Sequence, residues 1–349
     1  MPEIIKQAIG IDCSMETLDC SYGSLSSDMK QSIQHAKSFS NDGKGFKKLI
    51  EWAEKRTDKN VSVAFVVEAT GVYHELLANY LFDNGFKVSV VLPNRTSNFF
   101  RTTKTKTIND ASCARMITQF GLEKELDLWK KPDAVFNYLK QLTREREQLI
   151  AERCAIKNQL HAESKGAFPD SGSVKRMKQR LKLIEKQVKE IEQEIKGQVE
   201  KNPELNKKVQ NICTINGVGL ITSVTVIAET NGFDLIRNKK QLVSYAGLDV
   251  IEKQSGISVR SKTRISRRGN RHIRKALYFP AFSAIKHTPQ MKEHYANLIS
   301  KHGIKMKAAV AIQRKLLVLI YILWKTNEPF SSDYHQKKLG QQLLVTPRS

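Results

Sequence analysis

Three acids stand where apolar runs begin or end. Asp12 closes "QAIGID", Glu68 closes "VSVAFVVE", and Asp110 opens "DASCARMITQF". Acidic residues are depleted in strands, and a buried carboxylate is costly unless it is paired, hydrogen-bonded or bound to a cation. Alone, each is an ordinary strand-end or helix-start residue. Brought to one point they repel one another, and a divalent cation removes that penalty. The predicted chemistry is a Mg2+ (or Mn2+) site held by Asp12, Glu68 and Asp110. A second candidate is Ser255, in "QSG" at the edge of "KQSGISVRSKTRISRRGNRHIRKAL". There Arg260, Lys262, Arg264, Arg267, Arg268, Arg271 and Arg274 crowd together, and no acid occurs between Glu252 and Glu293. Such a density of like charge is relieved by a polyanion, so the segment is expected to contact nucleic acid. Serine catalysis needs an activated hydroxyl and charge stabilisation at the reacting centre. The arginines supply the second; a plain turn serine is the alternative.

The elements that must position these groups fall into three regions. Up to about residue 128, "QAIGIDCS" and "LDCSYGSL" read as a hairpin, with "HAKSFS" as a third strand. Asn41 is placed to cap "DGKGFKKLIEWAEKR", whose Phe46, Leu49, Ile50 and Ala53 share a helical face. "VSVAFVVEATG" then reads as a buried strand, "YHELLANYLFDNG" as a helix and "FKVSVVL" as another strand. This order predicts a mixed sheet flanked by helices, as in the RNase H fold. Between the last strand and Asp110, "PNRTSNFFRTTKTKTIND" carries Arg95, Arg101, Lys104 and Lys106 beside Phe99 and Phe100, a mixture suited to phosphate contact and base stacking. Residues 129–204 hold stripes at three-four spacing: Leu139, Leu142, Arg146, Leu149, Arg153, Ile156 and Leu160, whose two arginines argue against a fully dry seam, then Met177, Leu181, Ile184, Val188, Ile191 and Ile195. Gly166, Pro169 and Gly172 separate them, so an antiparallel coiled-coil hairpin is expected. Residues 205–330 read as mostly helical, with "INGVGL" as the turn of a helix-hairpin-helix element, and 331–349 as a polar tail.

Composition narrows the partners. Fifty-eight Lys and Arg against 35 Asp and Glu give a formal charge of +23 over 349 residues. Such a field attracts polyanions, and nucleic acid is the first to consider. No signal-peptide core or membrane-length apolar segment is present in the sequence. The five cysteines are odd in number and scattered, with no C-x-x-C, and read as small buried residues in a reducing cytoplasm.

Five ordered blocks, "GIDCS", "VVEATGVYHELLANYL", "INGVGLITSVTVIAE", "LVSYAGLDVIEKQSG" and "RISRRGNRHIRKAL", resemble those of the insertion-sequence 110 family of transposases. The resemblance spans residues 8 to 327. It implies a RuvC-like RNase H domain with an Asp, Glu, Asp, Asp set, a coiled-coil linker and a C-terminal domain with a nucleophilic serine. It further implies DNA recombination guided by a structured bridge RNA, in a homo-oligomer (dimer or tetramer) acting on donor and target duplexes in the prokaryotic cytoplasm, at the nucleoid. Asp12, Glu68 and Ser255 match the first two acids and the serine. The family's Lys-Thr-Asp-x-x-Asp-Ala reads here "KTKTINDASCARM". With Asp110 as third acid, Cys113 replaces the fourth; with Asp110 as fourth, Thr107 replaces the third. The first register is preferred because it also places Ile117 on an apolar family position. The rival readings are a metal-dependent junction nuclease, a small-molecule kinase of the actin-like fold, and a nucleic-acid-binding protein without activity.

Overall fold

A computed structural model of the chain describes residues 2–34, 37–103, 109–234, 236–252, 254–255, 259–260 and 263–331. It divides into two compact units, 1–131 and 132–349.

The first unit opens with β1 (Ile4–Cys13) and β2 (Thr17–Ser26), antiparallel, with Asp12 opposite Asp19. The strand expected in "HAKSFS" is β4 (Lys37–Ser40), and a further short strand, β3 (Gln31–Ile33), precedes it on a different stretch of β2. Next come α1 (Gly43–Glu54), β5 (Val63–Glu68), α2 (Glu75–Asp83), β6 (Lys87–Val91), α3 (Pro93–Phe100) and α4 (Asp110–Glu123). Strands β5 and β6 join parallel to β1, giving the order β3-β2-β1-β5-β6 and the mixed sheet expected from the sequence. Ile9, Ile11, Phe65 and Val67 are fully buried. Each contributes roughly 1.5–3 kcal/mol by leaving water. The cap of α1 is Asp42, not Asn41. Asp42 accepts from the Gly45 amide at 2.7 Å, while Asn41 donates to the carbonyls of Ser14 and Tyr73.

In the second unit, α5 (Ala134–Lys165) and α6 (Ser171–Glu200) run antiparallel, as the ion pairs Arg146–Glu192 (2.7 Å) and Lys157–Glu185 (3.9 Å) require. Ile156 packs with Leu181, Ile184 and Val188 along their outer part. Leu139, Leu142, Ile191, Ile195 and Val199 enter the core of the remaining helices, so the base of the pair is continuous with them. Those are α7 (Pro203–Cys213), α8 (Leu220–Glu229) and α9 (Lys239–Tyr245), then, after a β-ribbon, α10 (Arg271–Ala276), α11 (Tyr278–His287), α12 (Pro289–His302) and α13 (Lys305–Thr326). The ribbon has arms β7 (Val250–Ile251) with β8 (Gln254–Ser255), and β9 (Val259–Arg260) with β10 (Arg264–Ile265). All five cysteines are free; Cys13 and Cys20 are buried as expected, but Cys154 is exposed. Among the described residues, no helix is long and apolar enough to cross a membrane.

Candidate functional site

Helix α4 lies flush on β1 because Gly10 has no side chain. A Cβ there would stand 2.2 Å from the Thr118 amide nitrogen and 2.6 Å from the Ala114 carbonyl oxygen. Thr118, fully buried, fastens the approach: its Oγ1 accepts from the Gly10 amide at 3.1 Å and donates toward the Ser21 and Ala114 carbonyls. At the other end of α4, a Cβ on Gly121 would sit 2.7 Å from Val66. The start of α4 is thereby held near the end of β1. Asn109 caps it in a reciprocal box with Ser112.

Asp12 from β1, Glu68 from β5 and Cys113 from α4 therefore line one open cleft of about 480 Å³, together with Ser97, Phe100, Arg101, Thr103 and Met116. Burial pushes the Asp12 carboxyl up to about 6, and the neighbouring charges of Glu68, Asp110 and Asp19 push the same way. The Cys113 thiol is raised to about 11 by burial and by the charges of Asp12, Glu68 and Asp110, and it hydrogen-bonds Asp12. Glu68 is held by Thr96, whose Oγ1 donates to Oε2 at 2.6 Å, and by Thr70, donating to Oε1 at 3.3 Å. Thr96 is fully buried and was not singled out by the sequence reading. Its signal is faint: a threonine one turn after Pro93, on the helix that follows the next parallel strand. Asp110 is exposed at the start of α4, and its charge acts on Asp12.

Among the described residues, no three Asp, Glu, His or Cys side chains are gathered closely enough to hold a metal ion. The donor chemistry fits a hard cation: the carboxylates of Asp12 and Glu68 line one cleft, and the charges of Glu68 and Asp110 add to burial in raising the Asp12 carboxyl. Thr107, Lys104 and Lys106 lie outside the described residues. Arg95 and Arg101 are exposed. Phe99 and Phe100 are half-buried: both pack against the core around Val66, Ile117 and Phe120, with the Phe99 and Phe120 rings 5.2 Å apart, while Phe100 also lines the cleft.

In the second unit, Ser255 pairs with Val259 and Gln254 with Arg260, so the serine lies beside the tip of the ribbon. Farther in, Ile251 pairs with Arg264 and Val250 with Ile265, one residue out of step with the outer ladder. Lys262 lies outside the described residues, as do the side chains of Ser255 and Arg260. Arg264, Arg267, Arg268 and Arg271 are exposed. Arg274, expected to contact nucleic acid, is half-buried and also binds backbone. Its Nη1 donates to the carbonyls of Ala246, Gly269 and Asn270 at 2.8, 3.1 and 3.3 Å. That staple locks the ribbon's exit against its entry, where a Cβ on Gly269 would lie 2.5 Å from the Gly247 amide. Beneath it, the buried carboxylate of Glu229 takes Arg144 in two bonds (2.6 and 2.9 Å) and Asn270 in a third (2.6 Å). Burial alone would raise Glu229, but those donors outweigh it and hold the carboxyl below its usual range.

Residues 9–169 match the transposase model of the DEDD, IS110 type, and residues 209–296 match the model described as Transposase IS116/IS110/IS902 family. The chain is 26% identical over 336 residues to the pilin gene-inverting protein of Moraxella bovis, covering 95% of this chain and 99% of the relative. The pilin gene-inverting protein of Moraxella lacunata matches to the same extent. Among solved structures, Thermus thermophilus RuvC is similar at 11% identity and a TM-score of 0.25, covering 32% of this chain and 89% of that one. The same protein in complex with a Holliday junction substrate gives 11%, 0.25, 33% and 93%.

Proposed function

Because the chain belongs to the IS110 family of transposases, we propose that it cuts and rejoins DNA strands through a covalent phosphoserine intermediate on Ser255, guided by a structured bridge RNA. DNA recombination is the activity of the family, and DNA is its substrate. The observation that carries the finer reading is the meeting of Asp12, Glu68 and Cys113 in one cleft, from two parallel strand ends and a helix start. Strand order supports a RuvC-like RNase H domain here, with the ends of β1 and β5 presenting the acids. In this reading Asp110 is the third acid and Cys113 stands in the place of the fourth.

Asp12, Glu68 and Asp110 would hold Mg2+ or Mn2+, which when bound polarises the scissile phosphate and screens its charge. Thr96 and Thr70 keep the Glu68 carboxylate turned to the cleft. The Ser255 oxygen gives up its proton and bonds to phosphorus as the bond to the leaving sugar oxygen breaks, and that oxygen takes up a proton. The ester so formed conserves the phosphodiester bond for transfer to a second strand. Arg264, Arg267, Arg268 and Arg271 hold the flanking backbone, while base pairing with the guide selects the sequence. A homo-oligomer would combine the acids of one copy with the serine of another. The long α5–α6 pair, read as a coiled coil, is a natural means of assembly.

The test is Ser255→Ala, incubated with guide, labelled DNA and Mg2+ and run on a denaturing gel. Loss of the protein-linked band and of recombinant product, with DNA binding retained, is expected. Strand cleavage at the wild-type rate would overturn the serine mechanism and leave a hydrolytic nuclease.

A further inference from the structure

Helix α10 runs into α11 through Leu277, whose backbone is itself α-helical. Along this stretch Arg271, Lys275, Tyr278, Phe279, Phe282 and Lys286 recur at three- and four-residue steps, and all six are exposed. Phe279 is 77% exposed, with Tyr278 and Phe282 at 36% and 37%. The Tyr278 ring meets both phenylalanines edge-on, with centroids 5.2 Å apart in each case. Fixing α11 does not require these rings. Pro280, Ala281 and Ala284 bury its opposite face, and Ser283 is pressed by the turn at Gly217, where a Cβ would lie 2.5 Å from the serine Cβ.

Single exposed apolar residues are ordinary, but three rings joined through Tyr278 form a patch. The patch is bounded by Arg271 and Lys275 on one side and Lys286 and His287 on the other, in the span that has no acid from 253 to 292. Lys275 shares its charge with Glu147 of α5 at 3.1 Å. An apolar protein partner has no use for a cationic border of one sign. A polynucleotide with an unstacked base does, because its phosphates meet the cations while its π face meets a ring.

We infer that the Tyr278–Phe279–Phe282 cluster is a stacking platform for an unpaired nucleobase, flanked by phosphate contacts at Arg271, Lys275 and Lys286. The inference rests on the nucleic-acid reading above and adds a surface and a conformation: bases out of the duplex, from a displaced DNA strand or from unpaired guide RNA.

The full chain would be titrated, by fluorescence anisotropy at one fixed salt concentration, with oligo-deoxythymidine, oligouridine and a blunt duplex of equal length. Phe279→Ala and Phe279→Leu should each weaken binding of one or both single strands by about five- to tenfold, with duplex affinity changed by less than about twofold. The salt slope should not move, since no charge is removed. Phe279→Trp should restore binding, and the bases should quench its fluorescence. Loss on oligo-deoxythymidine alone assigns the platform to DNA, and loss on oligouridine alone to RNA. Unchanged single-strand affinity in Phe279→Ala, or an equal loss on the duplex, would overturn the inference. So would full binding by Phe279→Leu together with a smaller assembly of Phe279→Ala in sedimentation, which would make a second copy the occupant. Wild-type protein that bound none of the three probes would instead remove the nucleic-acid reading itself.

Discussion

Asp12 carries an electrostatic cost in the folded protein. Its ordinary carboxyl value is 3.8, and in the folded protein burial and three neighbouring acids raise it to about 6. The folded state thus holds this proton more tightly than the unfolded chain does. Stability is therefore lost as pH rises from about 4 through about 6, and the loss is complete above that window. Asp12→Asn removes the charge. In EDTA at neutral pH the variant should be more stable by about 1–2 kcal/mol, a figure already reduced for the cleft's open, screened side. Thermal melts should show the variant above wild type at neutral pH, with the gap closing near about pH 4. Mg2+ should then raise the wild-type midpoint and leave the variant unmoved, because a ligand stabilises only the state that binds it. Strand cleavage should vanish in the variant. A midpoint below wild type in EDTA would show that the carboxylate is structural.

The site depends as much on how α4 meets the sheet as on the acids it joins. Gly10 lets the helix backbone approach β1, and the clash that a methyl would meet there is with backbone atoms, which no rotamer change relieves. Gly10→Ala should cost about 3 kcal/mol by overpacking and push the start of α4 outward. Cys113 and Asp110 move with it, so cleavage should fall further than the remaining folded fraction accounts for. Urea unfolding and a cleavage assay on the same preparation measure both effects. A wild-type urea midpoint would show that α4 does not press on Gly10 as described. The corresponding device in the second unit is the Arg274 staple over the Glu229–Arg144–Asn270 network, which anchors the ribbon bearing Ser255 at its base.

Each unit has a core of its own, one around the β1–β5–β6 sheet and one around α8 and α13. The charge of +23 sits almost wholly in the second, where 40 Lys and Arg stand against 19 Asp and Glu, compared with 18 against 16 in the first. Each phosphate neutralised by a Lys or Arg releases condensed counterions, and log K falls by about 0.9 for every factor of ten in salt per contact. With six or more such contacts, duplex affinity should drop by roughly a thousandfold between 50 and 200 mM salt. Filter binding across that range checks it, and RNA should copurify at the low-salt end. Affinity independent of salt would mean that the basic segments do not touch the backbone.

Strand and helix order, the acids at strand ends, the stripes of α5 and α6 and the acid-free basic segment could all be read from local pattern. Each depends on spacing within one element, on composition, or on where an apolar run stops. Asp42 displaced Asn41 as the cap by a single position, because both residue types accept the same bond and only the backbone chooses between them. Phe99 and Phe100 read as free rings next to cations; that they are half-buried depends on the core around Phe120, some twenty residues along the chain. Arg274 looked like its neighbours until the carbonyls of Ala246, Gly269 and Asn270 came within reach of its guanidinium. Gly10 and Thr96 carried no local signal of their roles, since one makes room for a helix a hundred residues away and the other orients an acid on a neighbouring strand. Close approach and hydrogen bonding between distant segments arise only when the sheet and helices assemble, so no spacing along the chain encodes them.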